Sequence, residues 1–132
     1  MPVTYSIDAA TKTIRTTCSR PLTFAEVIDH FRRLKEDPVC SGSLDVLLDV
    51  SDADLLPQTT QLGAVAAAVS AVRSKVQFRA CAIVASRNAM FGMMRVFAVL
   101  TSDYFGATRV FRSMAEAEAW LAAQPREVDP SP

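Results

Sequence analysis

The chain has 132 residues, half of them hydrophobic, and its 14 basic and 14 acidic side chains give a formal net charge of zero. A single domain of this length buries enough surface to fold without disulfides or a structural metal. The balanced charge argues against a nucleic-acid-binding surface and against a disordered chain.

The first residues, MPVTYSIDAATK, lack a basic start followed by an apolar run, so we predict no secretory signal. The apolar, uncharged stretch 62–72 is too short and too rich in alanine to span a bilayer. We therefore expect a cytoplasmic protein without stable membrane insertion. The three cysteines, Cys18, Cys40 and Cys81, are odd in number and lack CxxC spacing, which predicts free thiols.

The predicted elements begin with two alternating runs, 3–7 and 13–18, which indicate an antiparallel pair of strands. Thr23 and Glu26 then match a capping box at the start of a helix. Its apolar stripe is Phe24, Val27, Ile28, Phe31 and Leu34. Its opposite face is predicted to be solvated and ion-paired, and consists of Glu26, Asp29, His30, Arg32, Arg33 and Glu36.

Two apolar runs, 44–50 and 79–85, have the length and composition of strands covered on both faces. The helix between them is predicted to start near Pro57 or Thr59 and to run to about Ser74. Its core stripe is Leu62, Val65, Ala66, Val69 and Val72, and its small-residue face is Gly63, Ala67 and Ala71.

Ser86 or Asn88 is predicted to cap a third helix that runs to about Tyr104. A short strand follows at 108–111, and then a second capping-box match precedes a final helix at 114–123, whose inward residues are Ala117, Trp120 and Leu121. We predict one domain over residues 1–124 and a disordered tail at 125–132.

The predicted order is β-β-α-β-α-β-α-β-α. Strands that alternate with helices imply right-handed crossovers and parallel pairing. The fold class is therefore predicted as α/β, with a single mixed, mostly parallel five-stranded sheet and about four helices.

Polar residues follow the predicted parallel strands at their carboxyl ends, where ligands commonly bind in open sheets. They are Asp49, Ser51, Asp52, Asp54, Ser86, Arg87, Asn88 and Arg112. The three aspartates have the oxygen chemistry for magnesium and a phosphate, yet loop aspartates also serve as turn formers. We favour the structural interpretation.

Thr59 and Thr60 lie where the second helix is predicted to start, a position that suits either a phosphorylated hydroxyl or a simple N-cap. His30 is the only histidine, so a catalytic triad or a histidine-based metal site is not expected. No GxSxG, GxGxxG or GxxxxGK motif is present. We predict no catalytic residues, no metal and no cofactor.

The third predicted helix, containing AMFGMMRVFAVL, is apolar on nearly all sides and carries one charge, Arg95. Such a helix is usually covered by something on its outer side as well. The residues predicted to contact a ligand or a second subunit are Met90, Phe91, Met93, Met94 and Phe97. Three interpretations remain open: a dimer interface, the core of a single subunit, or a ligand pocket.

The sequence resembles the STAS superfamily, and more closely its stand-alone SpoIIAA-like branch of uncharacterised bacterial proteins. The resemblance covers nearly the whole chain, from VTYSI through LDVLLDV and RACAIVA to RVFRSMAEAEAWL, whose strand leading into a capped helix is the most distinctive part. It implies a mixed five-stranded sheet with four helices, frequent dimerisation and no enzymatic activity.

In the anti-sigma factor antagonists of this superfamily, a DLS-like strand end leads to an Asp-Ser-Ser-Gly helix start that a kinase phosphorylates. Here DVS at 49–51 resembles the strand end, and Thr59 and Thr60 fall at the hydroxyl positions, but the acidic residue and the glycine are absent. The SpoIIAA-like branch is also similar in fold to CRAL-TRIO lipid-binding domains, although fold alone does not determine function.

The resulting hypothesis is a non-enzymatic regulatory or protein-interaction module that forms a homodimer and has a protein partner of unknown identity. The alternative is a carrier or sensor of a small apolar or lipid-like ligand. A third hypothesis, an enzyme with a magnesium-dependent phosphate site at Asp49, Asp52 and Asp54, is the least favoured.

Overall fold

The computed structural model describes residues 2–54 and 58–124, and for Thr59 the backbone only. The strands are β1 (Val3–Asp8), β2 (Thr13–Ser19), β3 (Gly42–Asp52), β4 (Val76–Val84) and β5 (Ala107–Phe111). The helices are α1 (Phe24–Glu36), α2 (Thr59–Val72), α3 (Asn88–Leu100) and α4 (Met114–Ala123).

The five strands form one sheet in the order β1-β2-β3-β4-β5. β1 pairs with β2 antiparallel, and the other neighbours pair parallel. This confirms the predicted α/β fold with a mixed, mostly parallel sheet and four helices.

The helices divide unequally between the two faces of the sheet. Successive right-handed crossovers in one direction place α1, α2 and α3 on the same face. α4 covers the other face, where Ala117 and Leu121 pack against Leu47, Ala82 and Val84. The larger core therefore lies between the sheet and the three-helix layer.

A register shift between β3 and β4 is built around a buried ion pair. The pairing moves from Leu44–Phe78 to Val46–Cys81, so β4 carries one extra residue. The Asp45 carboxylate accepts a hydrogen bond of 3.1 Å from the Ala80 N–H and lies 3.4 Å from the Arg79 guanidinium. The shift changes which side chains of β4 face the three-helix layer.

The predicted cap of α1 is confirmed, because Thr23 and Glu26 exchange side-chain and backbone hydrogen bonds. Ser113 also caps α4 by accepting from the Glu116 N–H. The other two caps were predicted wrongly. The N-cap of α2 is Gln58, whose N–H donates to the Gln61 side chain, and the N-cap of α3 is Arg87.

The ends of two helices also differ from the prediction. α2 ends at Val72, and α3 ends at Leu100, where Thr101 is buried and donates its hydroxyl to the Phe97 carbonyl. This bond occupies a carbonyl at the end of the helix, and an irregular turn then leads to β5. The predicted disordered tail, 125–132, and Pro57 lie outside the described residues.

Candidate ligand-binding cavity

A cavity of about 110 Å³ lies between the sheet and the three-helix layer. Side chains of the strands and of α1, α2 and α3 surround it. The space is smaller than, but comparable with, an engineered apolar cavity of about 150 Å³ that holds benzene. The cavity therefore has the size of a small molecule.

The sheet side of the cavity includes Val46, Leu48 and Val50 of the central strand β3. Val46 and Leu48 are only half-buried although they lie in the middle of the sheet. Side chains in that position are normally covered by a packed helix. Their accessibility shows that the helical layer leaves this part of the sheet uncovered.

The helical side of the cavity is apolar and comes from all three helices. The contributing side chains are Val27, Phe31 and Leu34 of α1, Leu62, Val65 and Val69 of α2, and Met90, Met94 and Phe97 of α3. Each set repeats at helical spacing, so a single face of each helix points inward.

The five residues predicted to contact a ligand or a second subunit therefore divide in two. Met90, Met94 and Phe97 are buried and line the cavity. Phe91 and Met93 are partly buried and pack against the edge of the same core. The predicted contact with a ligand or a partner remains a prediction.

His30 lies in the cavity wall, and its prediction as a solvated surface residue was wrong. The residue is 4% exposed, and its Nε2 lies 3.3 Å from the Thr16 hydroxyl. It sits three residues after Val27 and four before Leu34, so it occupies the inward stripe of α1. Burial, and secondarily the positive charge of Arg33, lowers the pKa of His30 to about 4. The ring is therefore neutral near pH 7.

Two buried cysteines, Cys18 and Cys81, also line the cavity. Burial raises the pKa of the Cys18 thiol and of the Cys81 thiol to about 12. Both thiols are therefore protonated and poorly nucleophilic near pH 7. Cys40 is also buried and free, which agrees with the predicted absence of disulfides among the three.

The three aspartates at the carboxyl end of β3 make structural contacts; Asp49 and Asp52 lie in the strand and Asp54 follows it. Asp49 accepts from the Ser51 N–H, Asp54 accepts from the Leu22 N–H, and Asp52 accepts from the Arg20 N–H and pairs with its guanidinium. The last two contacts join the loop after β2 to the loop after β3. Within the described residues, no three His, Cys, Asp or Glu side chains lie close enough to hold a metal ion.

The polar residues after β4 and β5 form a contact that anchors the start of α3. The Arg112 guanidinium donates to Asn88 Oδ1 at 2.5 Å and to the Ser86 carbonyl at 3.4 Å, and it stacks over the Phe91 ring at 4.2 Å. Asn88 is therefore engaged by Arg112 instead of capping the helix. This cluster positions the helix that carries the methionines.

Thr59 and Thr60 are the first two helical residues of α2 and directly follow the N-cap residue, Gln58. Thr60 is exposed, and the side chain of Thr59 lies outside the described part of the chain. Their predicted phosphorylation remains a prediction.

The outer surfaces of α2 and α3 are poor in charge, and among the described residues Arg95 is the one charged side chain on these two helices. α2 has no charged residue between Thr59 and Val72, and Gly63, Ala64 and Ala67 lie exposed on it. On α3, the exposed apolar side chains are Val96, Val99 and Leu100, at 43%, 72% and 41%. Exposed apolar side chains grouped on one helix are typical of contact surfaces.

No protein-family model matches the sequence, and no curated protein matches it either. None of the helices in the described ranges has the length and the apolar run needed to cross a bilayer. The interpretation of the cavity therefore rests on its geometry and chemistry.

Proposed function

We propose that this chain is a non-enzymatic binding module that holds a small apolar molecule in the cavity beneath α2. The observation that carries the proposal is the 110 Å³ space lined by apolar side chains from the sheet and from all three helices. A STAS-like sensor or carrier of an apolar ligand is the function that this geometry supports best.

The energetic cost of the cavity supports this proposal. An empty apolar cavity costs about 24 cal/mol per Å³, so this one costs on the order of 2 to 3 kcal/mol. That is a large share of the 5 to 15 kcal/mol by which a typical domain is stable. A ligand that fills the space restores packing contacts and offsets that cost.

The lining favours binding over catalysis. The Thr16 and His30 pair has no third group that orients the ring, because no described residue hydrogen-bonds to His30 Nδ1. The protonated thiols of Cys18 and Cys81 add no nucleophile. The cavity therefore offers apolar contacts and hydrogen bonding.

The position of the cavity supports a regulatory role. Its helical wall includes the inward faces of α2 and α3, whose outward faces form the charge-poor surface. A ligand that changes the packing of these helices would also change the surface offered to a partner. This links the ligand to the STAS-like regulation suggested by the sequence resemblance.

The proposal is tested by comparing what co-purifies with the wild-type protein and with Val65→Phe, which places a ring in the cavity. Native mass spectrometry followed by denaturation should show a near-stoichiometric small molecule that leaves the wild-type protein and is absent from Val65→Phe. Val39→Phe is the matched control, because Val39 is 62% exposed and lies outside the cavity. Equal extracts from wild type and Val65→Phe, or none from either, would count against the carrier.

A second candidate function is a homodimeric interaction module, and the exposed Val96, Val99 and Leu100 favour it. The two functions are compatible, since one uses the inner face of α3 and the other its outer face.

A further inference from the structure

Apart from the thiols of Cys18 and Cys81, the described lining of the cavity has one polar feature, the pair formed by His30 and Thr16. His30 is 4% exposed and Thr16 is 3% exposed, and both contribute to the wall. Their contact of 3.3 Å joins Nε2 to the threonine hydroxyl, and Nδ1 has no hydrogen-bond partner among the described residues. Such buried unpaired nitrogens are uncommon in folded proteins.

Either tautomer of the neutral ring leaves one hydrogen-bond donor unused. If Nε2 accepts from the Thr16 hydroxyl, the ring carries its proton on Nδ1, and this N–H has no acceptor. If Nε2 donates to Thr16, the hydroxyl proton of Thr16 has no described acceptor. Nδ1 is shielded from the cavity whereas Thr16 lines it, so the donor that can reach a molecule there is the Thr16 hydroxyl, with Nε2 donating to it.

The ring is held in place by packing as well as by Thr16. Tyr5 meets it edge to face at a centroid distance of 5.4 Å, and Phe31 packs against it at 5.1 Å. Tyr5 is itself fixed by a 2.6 Å hydrogen bond from its hydroxyl to Asp37. A polar group held this firmly can bind a ligand with little loss of side-chain entropy.

Charge is absent from the rest of the described wall. Within the part of the chain that the structure describes, no lining residue is Asp, Glu, Lys or Arg. Moving an ion into such a space would be strongly unfavourable, whereas a neutral group with one hydrogen bond is tolerated.

On the basis of the proposed function, we infer that the cavity selects an uncharged, mostly apolar molecule with one hydrogen-bond acceptor, such as a ketone or ether oxygen. The Thr16 hydroxyl, held by a hydrogen bond from His30 Nε2, donates the hydrogen bond that orients it. The apolar walls supply affinity, and the pair supplies selectivity.

The test uses cyclohexanone and methylenecyclohexane, which share a shape and differ in one oxygen. Their affinities are measured for the wild-type protein and for the double variant Thr16→Val/His30→Phe. Removing both partners together avoids leaving an unpaired group, so the variant is expected to fold. The ratio of the two affinities is compared between proteins, because the different hydration of the two probes then cancels.

We expect the ketone-to-alkene affinity ratio to fall about three- to tenfold in the double variant, the range of one neutral hydrogen bond. Thr108→Val is the matched control, since it removes a buried, unpaired hydroxyl outside the cavity and should leave the ratio unchanged. The single variants identify the donor: Thr16→Val alone lowers the ratio if the hydroxyl donates.

An unchanged ratio in the double variant would overturn the inference and leave the proposed function standing. If neither probe binds the folded wild-type protein, the proposed function itself fails. A readout that needs no variant is the ¹⁵N chemical shift of the His30 ring in the wild-type protein. It should move more with saturating cyclohexanone than with methylenecyclohexane, and equal shifts would contradict the hydrogen bond.

Discussion

His30 places a titratable ring in an apolar wall, and this makes stability depend on pH. Its pKa is about 4 in the folded protein, against about 6.5 for an unperturbed histidine in the unfolded chain. Between these values the unfolded chain binds more protons, so the free energy of unfolding falls as the pH falls. The histidine therefore stabilises the fold fully above about pH 6.5 and less below it.

Between pH 7 and pH 5 we expect the wild-type protein to lose about 2 kcal/mol of stability through this single group. No other histidine is present, so few other side chains titrate in this window. Urea unfolding at several pH values measures the slope, and His30→Phe should flatten it. Parallel pH profiles for the two proteins would show that His30 titrates normally.

At the scale of the elements, α3 has two apolar faces with different environments. Met90, Met94 and Phe97 are buried against the cavity, whereas Val96, Val99 and Leu100 face solvent. A dimer interface on this helix would use the second set. The two sets lie on different sides of the helix, so a substitution can change one face without changing the other.

We expect Val99→Glu to convert a homodimer into a monomer, because it places an unpaired charge in the interface. Val39→Glu is the matched control, since Val39 is also an exposed valine but lies in the loop after α1. Sedimentation equilibrium over a range of concentrations reports the association. A wild-type protein that stays monomeric, or a dimer that persists in Val99→Glu, would rule out this face as the interface.

The element types and their order along the chain follow from local patterns, and these were predicted. The alternation in 3–7, the strands at 44–50 and 79–85, and the Thr23 cap each match an element of the structure, although Val46 and Leu48 are only half-buried. Long-range contacts were not predictable in the same way. Asn88 suits an N-cap by residue type. In the structure, however, the guanidinium of Arg112, which follows β5, donates a hydrogen bond to its side chain.

The position of His30 could have been found from the sequence. It falls at the spacing of Val27, Phe31 and Leu34, but its polarity favoured the solvated face. The cavity could not have been found, because it depends on the distance between the three helices and the sheet, which long-range packing sets. No periodicity in one segment encodes that distance.

At the scale of the whole molecule, the uneven division of helices explains where a ligand can bind. One helix covers the side of the sheet around Leu47 and Ala82 and forms a small core with them. Three helices cover the other side, and the space over β3 lies between them and the sheet. The same layer presents the charge-poor outer surfaces of α2 and α3, so ligand binding and association would share these two helices.

The proposed function requires that the cavity bind an apolar molecule in solution. The most direct measurement is a titration of benzene into protein labelled with ¹³C at its methionine methyl groups. We expect saturable shifts of Met90 and Met94 in the wild-type protein, and their loss in Val65→Phe. No saturable shift of either methyl group in the folded wild-type protein would contradict the account.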